Sequence, residues 1–248
     1  MATDTTTTTE TPARSPKKVR WWRRPWIAPL AIITAIFLAT ALPHYVGLDP
    51  SQAQIPAGDI SGRPPAYYPA LVTHIFTGSV MLCAAVLQLW PWLRANHLRV
   101  HRWSGRVFVA AAIPTGLAAL VTAQFPSEGP SQRIANSLLA VLLVVFTVLG
   151  YRAVRQRRFV DHRQWMLRSV ALAFSIVANR FWGVLLVLTF VPSFDGDMAS
   201  SPDAMSAAAA SAWVSWVVNL LIAEWWIHKY PRPRDGAART RKVRAATA

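Results

Sequence analysis

The chain has 248 residues, of which 53% are hydrophobic and 15% charged, and its formal net charge is +15. Soluble domains carry about 25% charged residues, so this composition excludes an ordinary soluble domain. The basic residues are confined to a few segments between long apolar runs, which indicates membrane topology and argues against a nucleic-acid partner.

The N-terminal quarter of the chain contains a tail, one predicted helix and a loop. Residues 1–25 are Thr-rich and then basic, which predicts a disordered tail. The apolar run 26–46 predicts a first transmembrane helix, with a signal peptide cleaved near Ala39–Ala41 as the alternative. The Pro- and Gly-rich residues 47–67 predict a loop at the outer surface. Residues 26–67 are therefore assigned to this helix and its loop.

Four further apolar runs predict helices over 68–90, 103–124, 133–151 and 164–191, so we expect residues 68–191 to form a four-helix transmembrane core. Residues 192–228 hold an acidic outer loop and a sixth predicted helix over 207–228, and residues 229–248 form a basic tail. Each run is close to the ~20 residues that cross a bilayer. The predicted fold is all-α, an integral membrane bundle of six helices.

The loops alternate in charge along the chain. Lys and Arg number six in residues 1–25, four in 92–106, six in 151–168 and seven in 229–248. The opposite loops hold only Arg63 and Arg133, with six of the eleven acidic residues. Because positively charged loops remain in the cytoplasm, the sequence predicts a multi-pass plasma (inner) membrane protein with both termini cytoplasmic. We expect the basic loops to contact anionic lipid head groups of the bilayer.

Two of the basic segments share a short pattern. His101–Arg106 reads HRWSGR and His162–Arg168 reads HRQWMLR, each with His-Arg, then a tryptophan and a later arginine. We interpret the second and third helices, and the fourth and fifth, as related hairpins.

Polar side chains within the predicted helices are candidate ligand contacts, because they are costly in hydrocarbon and face the bundle interior. His162 and Arg180 are 18 residues apart, which is five turns of one helix, so we expect them on one face. Arg180 has no acidic residue at comparable depth, which leaves snorkelling, an anionic ligand, or a hydrogen-bond network with helix carbonyls, water, Asn136 or Asn219. The candidate ligand-binding residues are His74, Gln88, His101, Arg106, His162, Arg168 and Arg180.

A b-type haem is the alternative interpretation of the histidines. It requires two histidines on facing helices at matching depth. His101 and His162 meet that condition at the cytoplasmic end, and His44 and His74 meet it at the outer end. Packing against a neighbouring carbonyl, or contact with lipid phosphate, explains the same histidines without a cofactor.

Motifs of common catalytic sites are missing from the sequence. It contains no phosphate loop, nucleophile elbow, HExxH or CxxC motif, so no catalytic or metal-ligating residue is predicted and enzymatic activity stays open. The single cysteine, Cys83, lies in an apolar run and is expected to be a buried structural thiol.

Over roughly Tyr68–Leu188 the chain resembles the bacterial membrane-protein family known as domain of unknown function 2306. The resemblance is carried by His74 with Gly78 and Gln88, by HRWSGR at His101–Arg106, and by HRQWMLRS at His162–Ser169, followed by Arg180. It implies a multi-pass membrane protein and no established activity. A more distant resemblance, of architecture only, is to cytochrome b561-type bundles, from which the missing histidine of the fourth helix departs.

These observations lead to two functional hypotheses. The first is a non-enzymatic or transport-like membrane protein whose His/Arg-lined interior binds a small anionic or lipidic ligand. The second is a haem-containing redox protein. A purely structural or assembly role is a third possibility.

Overall fold

The computed structural model describes residues 26–52, 62–127, 129–191, 196 and 201–230, and these form helices and short connections without a β-strand. The helices are α1 (Ile27–Ala41), α2 (Pro43–Val46), α3 (Tyr67–Leu89), α4 (Pro91–Asn96), α5 (Leu98–Thr122), α6 (Pro130–Arg155), α7 (Phe159–Ala173), α8 (Ser175–Phe190) and α9 (Pro202–Lys229), with a 3₁₀ turn at Pro50–Gln52. The predicted all-α fold is confirmed. The predicted tail over residues 1–25 lies outside the described residues, as does the C-terminal tail from residue 231 onward.

Local sequence signals explain where the long helices begin. Pro130 occupies the first turn of α6, and the preceding Gly129 has φ +89°, a conformation that glycine adopts without steric cost. Pro202 opens α9, where the Ser201 hydroxyl accepts a hydrogen bond from the Ala204 backbone N–H at 3.2 Å. Both helices start earlier than the hydrophobic runs predict, because their first turns contain polar residues, such as Gln132 in α6 and Asp203 in α9.

Four described helices, namely α3, α5, α6 and α9, are long and apolar enough to cross a bilayer. The consecutive helices α7 and α8 provide a fifth span if the bent pair is counted as one. The α1 helix is apolar but has only 15 residues. The architecture is therefore that of a multi-pass membrane protein with four or five candidate spans, and the sixth span stays a prediction.

Helices α3 and α5 form an antiparallel hairpin that is joined through the short α4. Near one end the Thr115 hydroxyl donates to Thr77 Oγ1 at 2.8 Å, and near the other Gln88 Nε2 donates to Ser104 Oγ at 2.6 Å. A methyl group on Gly78 would lie 3.5 Å from the Thr115 side chain. Gly78 and Thr115 therefore lie opposite each other where α3 packs on α5.

A second antiparallel hairpin consists of α6 and α7. The hydroxyl groups of Thr147 and Ser169 are both fully buried and lie 2.6 Å apart. At the end of this hairpin the Met166 sulfur packs against Gly150. A Cβ at position 150 would lie only 2.7 Å from that sulfur, so the absence of a side chain makes room for it. Helix α9 packs against α6, α7 and α8 and contributes Trp216 to the main hydrophobic core, together with Phe108 and Leu172.

The fifth predicted span is not one straight helix. It bends by 44° at Phe174, between α7 and α8. The Ser175 hydroxyl donates to the Leu172 carbonyl, and a side chain that hydrogen-bonds to a helix carbonyl in this way favours a kink. The expectation that His162 and Arg180 share one face over five continuous turns is therefore wrong, because the two residues lie on different helices.

The prediction for Cys83 is also wrong, because its side chain is exposed on the outer surface of α3. The neighbouring Ala84 and Ala85 face the core instead.

The bundle has two distinct ends, which define the terms used below. The basic end contains the helix termini at Leu89, Leu98, Arg155, Phe159 and Lys229, and the opposite end contains those at Tyr67, Thr122, Pro130, Phe190 and Pro202.

Candidate functional site

A cavity of about 540 Å³ lies inside the bundle toward the end opposite the basic one. All the helices except α4 contribute to its wall, and most of the wall is apolar. Its volume falls within the ~300–1,000 Å³ that is typical of small-molecule sites. The polar side chains that matter most for its chemistry are His44, His74, Asn136, Asn179 and Arg180.

His74 lines this cavity with its ring held in a defined orientation. Nδ1 of His74 lies 3.0 Å from the backbone oxygen of Thr115. A carbonyl oxygen only accepts hydrogen bonds, so Nδ1 carries the proton, and in the neutral ring Nε2 is an acceptor. No described residue makes a hydrogen bond with Nε2.

The hydroxyl groups of Thr77 and Thr115 already donate hydrogen bonds to other oxygen atoms of the protein. Thr77 donates to the Thr73 carbonyl at 2.6 Å, while Thr115 is within donating distance of the Ala111 carbonyl at 2.7 Å and of Thr77 Oγ1 at 2.8 Å. Each hydroxyl has one proton, so neither has a proton to spare for His74 Nε2.

Asn179 and Arg180 supply hydrogen-bond donors to the same cavity. The Asn179 side-chain oxygen accepts from the Ser211 hydroxyl at 2.7 Å, which leaves its amide N–H groups as the available part. Arg180 makes no hydrogen bond or ion pair with the described residues, and its side chain is exposed. The two residues therefore place positive charge and N–H donors together in the cavity.

Asn136 and His44 add two further polar groups without partners among the described residues. The sequence suggested Asn136 or Asn219 as a neighbour of Arg180. Asn136 lines the cavity with Arg180, whereas Asn219 donates to the Ala171 carbonyl at 3.1 Å. Polar groups inside a membrane protein normally bond to one another, so several that do not are typical of a binding site.

Arg63 contacts three residues at the rim of the cavity. Arg63 donates to the Phe125 carbonyl and, at 3.2 Å, to the Ser127 hydroxyl, and its guanidinium lies 4.5 Å from the centre of the Tyr67 ring. Tyr67, Phe125 and Ser127 all line the cavity. The loop between α5 and α6 is therefore fixed over this side of the cavity by a residue that precedes α3.

The remaining predicted site residues lie at the basic end, away from the cavity. Gln88 uses its amide to bridge α3 and α5, donating to the His101 carbonyl and the Ser104 hydroxyl, each at 2.6 Å. Gly105 leaves room for this amide, since a Cβ there would lie 3.3 Å from it. Gln88 thus stabilises the hairpin.

His101 and His162 lie near each other at the basic end. The ring of His101 is within electrostatic range of His162, Arg94 and Arg102, and its Nδ1 is buried without a hydrogen-bond partner. His162 Nδ1 lies 2.8 Å from the Gly150 carbonyl, so it carries the proton and leaves Nε2 as an acceptor in the neutral ring.

The two other arginines of the predicted set make local contacts. Arg168 pairs with Glu224 on α9, with Nη2 2.9 Å from Oε2, and lies 4.8 Å from the centre of the Trp165 ring. Arg106 is exposed and lies 5.3 Å from the centre of the Trp103 ring.

The structure thus divides the predicted residues into two groups. His44, His74 and Arg180 line one cavity, whereas Gln88, His101, Arg106, His162 and Arg168 lie at the basic end. The contribution of Arg63 was not predicted, because its contacts are more than 60 residues away in sequence and no local pattern signals them.

The described residues contain no group of three or more His, Cys, Asp or Glu side chains arranged to hold a metal ion. Of the two histidine pairs considered for haem, His44 and His74 share the cavity, and His74 Nε2 is available to a ligand. Histidine ligands usually donate their second N–H to a carbonyl or carboxylate, as His74 does.

Comparison with known proteins agrees with this architecture. The model of a family described as "Predicted membrane protein (DUF2306)" matches residues 71–227, which is more than half of the chain and includes α9. No curated protein and no solved structure matches the chain significantly. The resemblance seen in the sequence is confirmed: the chain belongs to the DUF2306 family of predicted membrane proteins.

Proposed function

We propose that this membrane protein binds a small amphipathic anion in its internal cavity, with Arg180 as the principal contact of the anionic group. The observation that carries the proposal is the arginine itself. Arg180 lines a largely apolar cavity, where it interacts electrostatically with Tyr45 but makes no hydrogen bond or ion pair with the described residues. An arginine at a membrane-spanning position requires a counter-charge, water or an exit to the membrane surface.

Asn179 supports the assignment of an anion, because its amide donors accompany the guanidinium in the cavity. Carboxylate and phosphate oxygens accept such bonds, and pairing with arginine strengthens them. The apolar walls favour a ligand with a hydrocarbon part, and the cavity volume limits it to a small molecule.

The topology proposed with this function has six transmembrane helices and cytoplasmic termini in the plasma membrane. It is supported by the concentration of Lys and Arg at the basic end and in both tails. In this orientation the basic end meets the anionic head groups of the inner leaflet, and the cavity lies toward the outer leaflet.

Ligand-induced thermal stabilisation of the purified protein in nanodiscs tests the proposal. The probes are octanoate, octanol and octylamine, which share one chain length and differ in head-group charge. We expect octanoate to raise the unfolding temperature most, and Arg180→Gln to abolish the rise. The control Arg106→Gln removes an exposed arginine at the basic end and should respond like the wild type. Equal stabilisation by all three probes, or by octanoate in Arg180→Gln, contradicts the proposal.

A b-type haem held by His44 and His74 is the second candidate, favoured by the position of both residues on one cavity and by the free Nε2 of His74. The alternative pair, His101 and His162, lies at the basic end, where Nδ1 of His101 is buried. When bound, haem would supply one-electron redox chemistry. Protein purified from haem-replete cells should then show a Soret band that shifts on reduction and is lost in His74→Phe. A colourless preparation removes this candidate.

A further inference from the structure

We propose, on the premise that the cavity holds an amphipathic anion, that this ligand carries a second polar group with a hydrogen-bond donor, and that His74 Nε2 accepts its hydrogen bond. The ligand class is then an anion whose far end bears a hydroxyl or an N–H group. His74 is the residue that selects for that group.

The tautomer of His74 determines which kind of ligand group can form a hydrogen bond with Nε2. Because Nδ1 donates to the Thr115 carbonyl, the neutral ring offers only an acceptor to the cavity. The adjacent hydroxyl protons of Thr77 and Thr115 are committed within the protein. A carboxylate or an ether oxygen also offers only lone pairs and cannot bond to Nε2, whereas a hydroxyl can.

The opposite requirement holds at Arg180 and Asn179, which offer N–H donors. One cavity thus contains a donor-rich site and an acceptor site. A ligand that satisfies both carries an acceptor group, the anion, and a separate donor group. A plain fatty acid satisfies only the first of these.

The separation of the two sites determines the spacing of the ligand's polar groups. His74 is seven residues from the start of α3, and Arg180 is ten residues from the end of α8, which corresponds to depths of about 10 Å and about 15 Å from that end of the bundle. The two residues also lie on different helices. Apolar side chains of the same cavity, such as Ile75, Leu82, Leu139 and Ile176, face the intervening part of the ligand. An ω-hydroxy carboxylate has this arrangement of groups.

Three water-soluble probes with the same carbon chain isolate the contribution of the hydrogen-bond donor to affinity: octanoate, ω-hydroxyoctanoate and ω-methoxyoctanoate. Isothermal titration calorimetry of the wild-type protein in nanodiscs gives their dissociation constants. We expect the hydroxylated acid to bind at least about fivefold more tightly than the other two, the effect of one ordinary hydrogen bond. The methoxy compound keeps the oxygen and loses only the donor, so equal affinity of the hydroxy and methoxy compounds overturns the inference.

His74→Phe preserves the approximate volume of the ring and removes the acceptor. We expect it to lose the preference for ω-hydroxyoctanoate, so that the dissociation constants of the hydroxy and methoxy compounds become equal in this variant. The matched control is His228→Phe, since Nδ1 of His228 also lies near a carbonyl, that of Glu224 at 2.8 Å, but the residue is outside the cavity. Retention of the preference in His74→Phe contradicts the assignment.

The same titrations distinguish the two proposals. Octanoate binding that depends on Arg180 but shows no preference for the hydroxyl overturns only the role of His74. Absence of binding by all three acids overturns the anion-binding function and the inference together.

Discussion

Arg168 on α7 is paired with Glu224 on α9, whereas Arg180, twelve residues later on α8, makes no hydrogen bond or ion pair with the described residues and interacts electrostatically with Tyr45. The guanidinium of Arg168 contacts both carboxylate oxygens. This bidentate pair joins two helices near the basic end. The contrast separates a structural arginine from one that is available to a ligand.

The Arg168–Glu224 pair should contribute to stability as a unit. Its side chains are 16% and 32% exposed, so we expect Glu224→Leu or Arg168→Met to cost about 1–3 kcal/mol, less than the ~3–5 kcal/mol of a fully buried pair. The double variant should cost less than the sum of the two, because neither charge is left alone. Unfolding in denaturant measures all three. Additive losses would show that the two residues do not interact.

Arg180→Gln should leave the stability of the ligand-free protein unchanged or higher. The substitution removes an exposed charge that makes no hydrogen bond or ion pair with the described residues, so no stabilising contact of that kind is lost. Thermal unfolding without added ligand provides the measurement, with Arg168→Gln as the comparison that should lower the midpoint. A marked loss of stability in Arg180→Gln would assign this arginine a structural role.

Gly116 should tolerate no side chain. A Cβ at this position would lie 2.4 Å from Val144 Cγ2 and 3.3 Å from the Ala140 carbonyl on α6. We expect Gly116→Ala to cost about 1–3 kcal/mol by overpacking, and Val144→Ala to relieve part of that loss. Gly183→Ala is the control, because its Cβ would make an ordinary contact with Ser211 at 3.6 Å. Equal stability of the two alanine variants would contradict the tight α5–α6 packing.

Arg63 should control access to the cavity. Arg63→Ala removes the bonds to the Phe125 carbonyl and the Ser127 hydroxyl at the rim. Losing charged hydrogen bonds worth about 1.5 kcal/mol should speed ligand exchange about tenfold. Stopped-flow tryptophan fluorescence with octanoate measures the association and dissociation rates, which should rise together and leave the affinity nearly constant.

Arg133→Ala is the matched control, since Arg133 bonds to Gln124 in the same loop, at 3.0 and 2.7 Å, but neither residue lines the cavity. Exchange rates in Arg63→Ala that match those of the wild type would exclude a gating role for this contact.

The sequence was sufficient to predict the helical fold and much of the packing between α3 and α5. Hydrophobic runs of bilayer length locate the main spans, and the second and third predicted helices do form a hairpin, in which His74 and Gly78 of α3 contact Thr115 of α5. These features depend on periodicity within a helix, which a single sequence displays directly.

The bend at Phe174 could not be predicted. It has neither proline nor glycine, and the hydrogen bond from Ser175 to the Leu172 carbonyl is of a kind that Ser79 and Ser104 also make within unbroken helices, so it is not a distinctive signal. The pairing of Arg168 with Glu224 was missed for a different reason. The two residues are 56 positions apart, and their contact follows from how α7 docks on α9.

Calorimetry in nanodiscs of neutral lipid, with octanoate titrated into wild-type and Arg180→Gln protein, tests whether Arg180 binds the anionic group. We expect Arg180→Gln to weaken binding about tenfold or more, because a charged hydrogen bond is lost, and Arg106→Gln to bind like the wild type. Equal affinity of the wild type and Arg180→Gln would contradict this role of Arg180.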